Sequence, residues 1–379
     1  MRITARGLNR STLGRQLLLG RASLPVAEAV RRVVALQAQH AASPYLALWN
    51  RLTDVDPADL DTAHEVVKAT LMRLTLHAVH AGDYRAFRAA MEPTLRSVMI
   101  LREGRVAASG LTVADADALV PDLLAYADRP RTAAEMKAWL AQRLGAPPDP
   151  GAWRGLRGYV PLLHAPTQAP WSFGSRPSYV AARPQPVLAD PDASAAALQT
   201  LVERYLEGFG PASVADVAQF PLVQQARAKE ALKALSGALE RLDGPDGAVL
   251  YDVPDAPRPT EDTPAPPRLM AMWDSILLAY VDRSRVIPPD YRTLVTRSNG
   301  DVLPTLLVDG YVAGVWRPVA GGIEATAFHH LPDDAWEGLA AEARSLVAFL
   351  ADREPEVYRR YDHWWRTLPS AEARLLPGD

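Results

Sequence analysis

Residues 239–253, LERLDGPDGAVLYDV, decide how the fold is read. Two short strand-forming runs flank Gly244-Pro245-Asp246-Gly247, and Asp-Gly between such runs is a hairpin signal. Directly before them lie three helical patterns, at 192–208, 211–220 and 221–236. Three helices followed by a β-wing make a winged-helix module, the helix-turn-helix variant.

The same grammar recurs upstream. Helices at 112–127, 132–144 and 151–164 precede a strand pair around Trp171 to Val180; Thr132 and Glu135 form a capping box for the second of these helices. Nearer the N-terminus, Asn9 reads as the cap of a helix carrying Leu13, Leu17 and Leu18. Pro25 opens a helix with the stripe Val26, Val30, Val33 and Val34, and Ser43-Pro44 opens another with Tyr45, Leu48, Trp49 and Leu52 inward. After a short helix (56–65) the period changes to two. Met72, Leu74, Leu76 and Ala78 alternate with Arg73, Thr75, His77 and Val79, as in a half-buried strand. No residue-level repeat accompanies this threefold plan.

Downstream, residues 252–268 hold six prolines and four acids and read as a linker. Beyond it come an apolar segment (269–281), a hairpin from Thr305 to Arg317 turning at Asp309-Gly310, a strand near Ile323 to Phe328, and C-terminal helices. Trp273, Trp316, Trp364 and Trp365 are anchors. The expected architecture is α+β: winged-helix modules at 1–110, 111–189 and 190–253, then a C-terminal α+β domain at 269–379.

A length of 379 residues fits two or three domains. The absence of cysteine excludes disulfides, thiolate metal sites and a thiol nucleophile. The longest apolar run, Ile276 to Val281, is far short of the ~20 residues needed to cross a bilayer. No signal peptide is visible at the N-terminus, so a cytoplasmic location with no membrane partner is expected.

Net charge is −3, which argues mildly against nucleic acid, but its distribution is uneven. Residues 1–32 carry seven arginines and one acid, residues 66–105 are net +4, and residues 151–185 hold four arginines and no acid. Acids gather at 112–150, at 190–262 and at the C-terminus. Such segregation suits a polyanion-binding face, and equally a set of solvated helix faces. Thirty-seven of the 41 basic residues are arginine, the better bidentate phosphate ligand, although a GC-rich genome gives the same bias.

Ordinary catalytic machinery is missing. No P-loop, dinucleotide fingerprint, nucleophile elbow or His-Glu-x-x-His motif occurs. His77 and His80 would lie on opposite strand faces, so no metal and no cofactor is expected. One anomaly remains: the stripe Val30, Val33, Val34 continues at the next helical step to Gln37. Burying an unpaired amide costs ~1–3 kcal/mol, so Gln37 must either find partners or face a cleft. Gln39 follows two residues later.

At this point the sequence resembles the AlkZ-like DNA glycosylases. Val34-Ala35-Leu36-Gln37-Ala38-Gln39 and Ser43-Pro44-Tyr45-Leu46-Ala47-Leu48-Trp49 resemble the N-terminal region of that winged-helix family, which carries a Gln-hydrophobic-Gln catalytic motif. Met72-Arg73-Leu74-Thr75-Leu76-His77 resembles its Met-Arg-Gly-Thr-Leu-His strand, with Leu74 in place of glycine. Trp273-Asp274-Ser275-Ile276-Leu277-Leu278, ending in Asp282-Arg283, resembles its Phe-Asp-x-x-Leu-Leu…Asp-Arg block. Val308-Asp309-Gly310 and Gly314-Val315-Trp316-Arg317 complete the series.

The resemblance implies a monofunctional glycosylase acting on alkylated purines, in a C-shaped array of tandem winged helices. One member removes the interstrand crosslinks of the antibiotic azinomycin B and serves self-resistance. The Gln-x-Gln spelling fits that branch, whereas a sister branch has Asp at the second position. Gln37 and Gln39 are then the catalytic residues. Double-stranded DNA bearing an alkylated guanine or a crosslink is the partner of a monomer, with no protein partner implied.

Amides suit such a substrate. A guanine alkylated at N7 is cationic and leaves as a neutral base without protonation, so orienting water is the remaining task. Arg73, Thr75 and His77 are expected to share one strand face and line the cleft. The Asp309-Gly310 hairpin, or the 296–302 loop with Arg297, Ser298 and Asn299, is expected to probe the minor groove. Asp282 and Arg283 read as a structural ion pair. The alternative is a winged-helix transcriptional regulator, which binds duplex DNA and releases no base.

Overall fold

A computed structural model describes residues 2–101, 111–167, 170–174 and 176–377. Arg102 and Arg105, counted in the second basic segment, lie outside them. The first part of the chain runs α1 (Ala5–Arg15), α2 (Val26–Arg32), β1 (Leu36–Gln37), α3 (Ser43–Trp49), α4 (Pro57–Thr62), β2 (Val66–Thr70), β3 (Leu76–His80) and α5 (Ala81–Arg96). Next come α6 (Val113–Tyr126), β4 (Arg131–Thr132), α7 (Ala133–Leu144), α8 (Pro150–Tyr159), β5 (Leu162–Ala165) and β6 (Ser178–Ala181). Then α9 (Pro191–Phe209), α10 (Val214–Gln219) and α11 (Gln225–Ala234) precede the β7 (Glu240–Asp243) and β8 (Val249–Asp252) hairpin. The last part holds β9 (Arg268–Leu269), α12 (Arg292–Val295), β10 (Thr305–Val308), β11 (Tyr311–Val319), β12 (Gly322–Ala327), α13 (Asp333–Ala351) and β13 (Glu372–Leu376).

Helix and sheet are thus mixed, as expected. Strands from residues 36–80 and 131–181 join one antiparallel sheet in the order β1-β3-β2-β5-β6-β4, so the basic 151–185 segment lies beside the first 80 residues. A second sheet, β13-β12-β11-β10-β9, carries α13. Its edge strand β13 has no counterpart in the sequence reading, which placed only helices there. The main apolar core runs from Leu13 to Leu376 and links both ends of the chain. A smaller core, from Met91 to Ala181, lies under α6, α7 and α8.

Several local expectations are corrected. Thr4, not Asn9, caps α1, its hydroxyl accepting from Gly7 N at 3.0 Å. Asn9 is fully buried and donates to the carbonyls of Arg285 and Gly310. The helix expected over 151–164 stops at Tyr159, and Leu162 to Ala165 form β5 instead.

The N-terminal basic segment is largely structural. Arg15 forms a two-bond pair with buried Asp252 (2.7 and 2.8 Å), and Arg21 forms one with Glu342 (2.9 and 2.6 Å). Arg6, Arg10 and Arg15 also donate to the carbonyls of Glu261, Thr263 and Pro257. The proline-rich stretch is therefore strapped along α1. Of its acids Asp252 pairs with Arg15, while Arg6, Arg10 and Arg21 find Asp309 and Glu342 farther along the chain, so much of the N-terminal charge is neutralised in space.

Candidate active site

The site begins where the helical stripe fails. Helix α2 ends at Arg32, and Val34 takes a left-handed conformation (φ 74°), unfavourable for a β-branched residue. Room for it comes from Gly208 on α9, where a Cβ would lie 2.5 Å from Val34 Cγ2. Ser275 Oγ donates to Ala35 O at 2.7 Å and fixes the turn from the other side. The reversal puts Gln37 on β1 instead of on a helix, paired in register with His77 of β3. Ala38 N donates to Leu76 O at 2.7 Å and extends the pairing toward Gln39.

Gln37 is buried at 5% exposure, and its amide has found a partner. Arg73 Nη2 donates to Gln37 Oε1 at 2.8 Å and approaches His77 Nε2 at 3.2 Å, while Nη1 donates to Phe220 O at 3.0 Å. His77 Nδ1 lies 3.1 Å from Thr75 O and donates there, which leaves Nε2 to accept from Arg73. Burial first, and the Arg73 charge second, hold the His77 pKa well below the usual imidazole range. Burial likewise pushes Arg73 down, to about 10, so it remains charged at neutral pH.

Gln39 is exposed, and its Oε1 accepts from Leu76 N at 3.0 Å. The two amides thus bracket the edge of β3. One is clamped by a guanidinium and the other by a backbone N–H. These donors assign each oxygen and leave both Nε2 groups free of them. Each carbonyl oxygen keeps a second lone pair.

The other expected residues fall elsewhere. Arg73, Thr75 and His77 do not share one strand face, because Arg73 and Leu74 are both left-handed (φ 51° and 61°) in a tight turn before β3. Leu74 holds a conformation natural to the glycine of the family pattern. Thr75 turns its hydroxyl back to Met72 O (3.1 Å), away from Gln37. Arg73 and His77 converge on Gln37 and hold it, so Arg73 is engaged inside the protein and is not a free phosphate ligand.

The Asp309-Gly310 hairpin is docked on α1, with Arg6 and Arg10 binding Asp309, so it is not a free groove probe. Arg297 stacks on Trp364 (4.4 Å) and is tied to the Thr293 and Leu294 carbonyls. Ser298 and Asn299 stay exposed at the tip of that loop, which is braced by Trp273 Nε1 on Gly300 O at 3.0 Å. No hydrogen bond joins the loop to Gln37 or Gln39 among the described residues. Asp282 and Arg283 do not pair: Asp282 accepts from Ser284, and Arg283 donates to Thr296.

The sequence reading missed a cavity of about 490 Å³ beside Gln39, lined by Lys68, Arg157, His164, Phe173 and Arg360 among others. Its signals were present: Lys68 is one of four lysines, and Arg157 lies in the acid-free segment.

Comparison with known proteins identifies the family and the fold. The family described as "DNA glycosylase AlkZ-like" matches residues 30–349. The chain is 24% identical over 354 residues to a Streptomyces sahachiroi protein named "Interstrand DNA cross-link repair glycosylase", with 86% of this chain and 92% of that one covered. The solved structure of Streptomyces sahachiroi DNA glycosylase AlkZ has the same fold: TM-score 0.76 at 20% identity, over 94% of this chain and 99% of that chain. With most of its length matched, the chain belongs to the AlkZ-like DNA glycosylases, hydrolases of N-glycosyl bonds.

Proposed function

We propose that this enzyme hydrolyses the N-glycosidic bond of N7-alkylated purines in double-stranded DNA, including bulky adducts and interstrand crosslinks of the azinomycin B type, with Gln37 and Gln39 as catalytic residues. The named crosslink-repair activity of the Streptomyces sahachiroi relative supports the substrate class, and self-resistance to such an antibiotic is the role that follows. The α9–α11 bundle with its β7–β8 wing supports tandem winged helices as the DNA-binding plan, with modules at 1–110, 111–189 and 190–253 before the domain at 269–379. The chain acts as a monomer in the cytoplasm.

The observation that carries the reading is the pair of oriented amides at the β3 edge. N7 alkylation places a positive charge on the base, so the leaving group needs no acid. What remains is to aim a water at the anomeric carbon as the sugar becomes oxocarbenium-like. The second lone pairs of Gln37 Oε1 and Gln39 Oε1 accept the water's protons. Because Arg73 and Leu76 N already fix both amides, little reorganisation is needed during the reaction. Such positioning supplies roughly 3–5 kcal/mol, or about 10²–10⁴ in rate. An unmodified purine lacks the built-in cation and is left intact.

The test incubates the chain with duplex DNA carrying N7-methylguanine or a defined crosslink, and follows free base and abasic sites. Gln37→Ala and Gln39→Ala should each lose release by about 10²–10⁴ while retaining duplex binding. Release at the parental rate in both variants refutes the assignment. A sharp footprint on one DNA sequence with no base release would instead indicate a regulator.

A further inference from the structure

The cavity beside Gln39 opens on the sheet face that carries Lys68, Thr70, Leu76 and His164. Gln37, His77, Ala69 and Leu163 occupy the opposite face of the same register. The cavity is therefore separate from the Gln37 clamp, with Gln39 on its rim.

Its walls are cationic. Lys68, Arg154, Arg157 and Arg360 all line it, and none of the four pairs with a carboxylate among the described residues. Lys68 is only 3% exposed, and its one hydrogen-bond partner among those residues is Phe173 O, at a long 3.5 Å. Arg157 makes a single 3.4 Å contact with Tyr179 Oη. Glu354 is the one acid on the wall among the described residues, and Trp171 Nε1 engages it at 2.6 Å.

A buried ammonium without a counter-ion is costly, and an anion bound from outside would relieve that cost. The same cations act, after burial, on two neighbouring histidines. Burial, then Arg360 and Lys68, hold His40 down to about 4. Burial, then Lys68 and Arg157, hold His164 down to about 3. Lys68 itself is pushed down by burial to about 8, so at neutral pH it is still mostly an ammonium.

We propose that this cavity is a phosphate-binding site, with Lys68 at its floor and Arg157 and Arg360 on its walls. A point charge at depth and guanidinium forks at the sides form the donor set that a tetrahedral oxyanion takes. The phosphate comes either from a phosphodiester of the DNA strand lying past Gln39 or from the terminal phosphate of a nucleotide. The site does not require Gln37 or Gln39 to be catalytic, and binding is read without base release.

The full chain is titrated with inorganic phosphate, with thymidine 5′-monophosphate, and with a thymidine trinucleotide lacking terminal phosphates. A methylphosphonate trinucleotide serves as the uncharged control. The readout is the NMR titration of the His40 and His164 rings, assigned with His40→Gln and His164→Gln. Phosphate in the cavity should shift both ring resonances saturably at pH 7, and Lys68→Met should weaken binding at least tenfold. Arg157→Gln, on a partly exposed side chain, should weaken it severalfold and covers the case in which Lys68→Met does not fold. Response to the trinucleotide assigns the site to the strand backbone; response to the monophosphate alone assigns it to a terminal phosphate. If neither histidine moves with any charged probe at millimolar concentration, or the methylphosphonate control binds equally well, the proposal is wrong.

Discussion

Arg73 ties Gln37 to the end of α10: one guanidinium nitrogen holds Gln37 Oε1 at 2.8 Å and the other holds Phe220 O at 3.0 Å, just past that helix. The amide proposed to aim water is therefore oriented by a fork whose second prong is anchored about 180 residues away in sequence. Lysine has the charge but not the fork. Arg73→Lys should lower the single-turnover rate of base release about 10–100-fold, with duplex affinity nearly unchanged. A purely structural role would instead lower the melting temperature and leave the rate of folded enzyme intact. Equal rates for Arg73→Lys and the parent chain would show that Gln37 needs no such clamp.

Acid should weaken the fold before its carboxylates titrate. His40, His77 and His164 are all held below the ordinary imidazole value, first by burial and then by nearby cations. In the folded chain they are neutral at pH values where the unfolded chain has begun to protonate, below about 6.5. The unfolded state then binds more protons, so stability rises with pH in that range. Their contribution is fully present above about pH 6.5 and is lost as pH falls toward 4, at no more than ~1.4 kcal/mol per pH unit per histidine. Urea midpoints measured from pH 7.5 to 4.5 check this, and His77→Gln should flatten the slope. A flat profile above pH 5 in the parent chain contradicts it.

Local grammar was legible wherever it was periodic and capped. The Thr132–Glu135 capping box and the Asp246-Gly247 turn stand where the sequence places them. Gln37 was found for a partly mistaken reason. The amide broke an apolar stripe, but the stripe belonged to a helix that had already ended, because Gly208 and Ser275 let Val34 reverse the chain. No window around Val34 contains those two residues. The partners of the basic N-terminus are hidden from the sequence for the same cause. Arg15 and Asp252 are 237 positions apart, and a segment count cannot see that they neutralise each other. Lys68 was visible as a rare lysine, yet its cavity needs β5 and the 170–174 loop beside β2.

Arg51 and Asp274 should make the costliest single truncations outside the apolar core. They share two hydrogen bonds, at 2.7 and 2.8 Å, and both side chains are fully buried. Removing one partner strands the other charge, which costs about 3–5 kcal/mol. Arg51→Met alone should lose that much in urea unfolding. Arg51→Met with Asp274→Leu should recover a substantial part, because no lone charge remains. If the double variant is as unstable as the sum of the single ones, the pair is not the source of the loss.

Gly310 should tolerate alanine far less well than Gly300. Both are left-handed, at φ 81° and 89°, so each substitution carries the roughly 1 kcal/mol penalty of that backbone region. At Gly300 a Cβ meets nothing within 4 Å. At Gly310 it would lie 2.6 Å from Leu13 Cδ1, 2.7 Å from Asn9 Oδ1 and 2.8 Å from Arg10 Nη1. Asn9 is fixed there by its bonds to Arg285 O and Gly310 O, and Arg10 by Asp309 and Thr263 O. The clash cannot be relieved by one flexible side chain, so the hairpin must lift from α1. Gly310→Ala should therefore cost at least ~2 kcal/mol more than Gly300→Ala, in the range of overpacked core sites. Amide exchange should also quicken along α1. Equal costs at the two positions would mean that the hairpin leaves α1 easily, and would reopen the turn at Asp309 as a mobile element that could reach DNA.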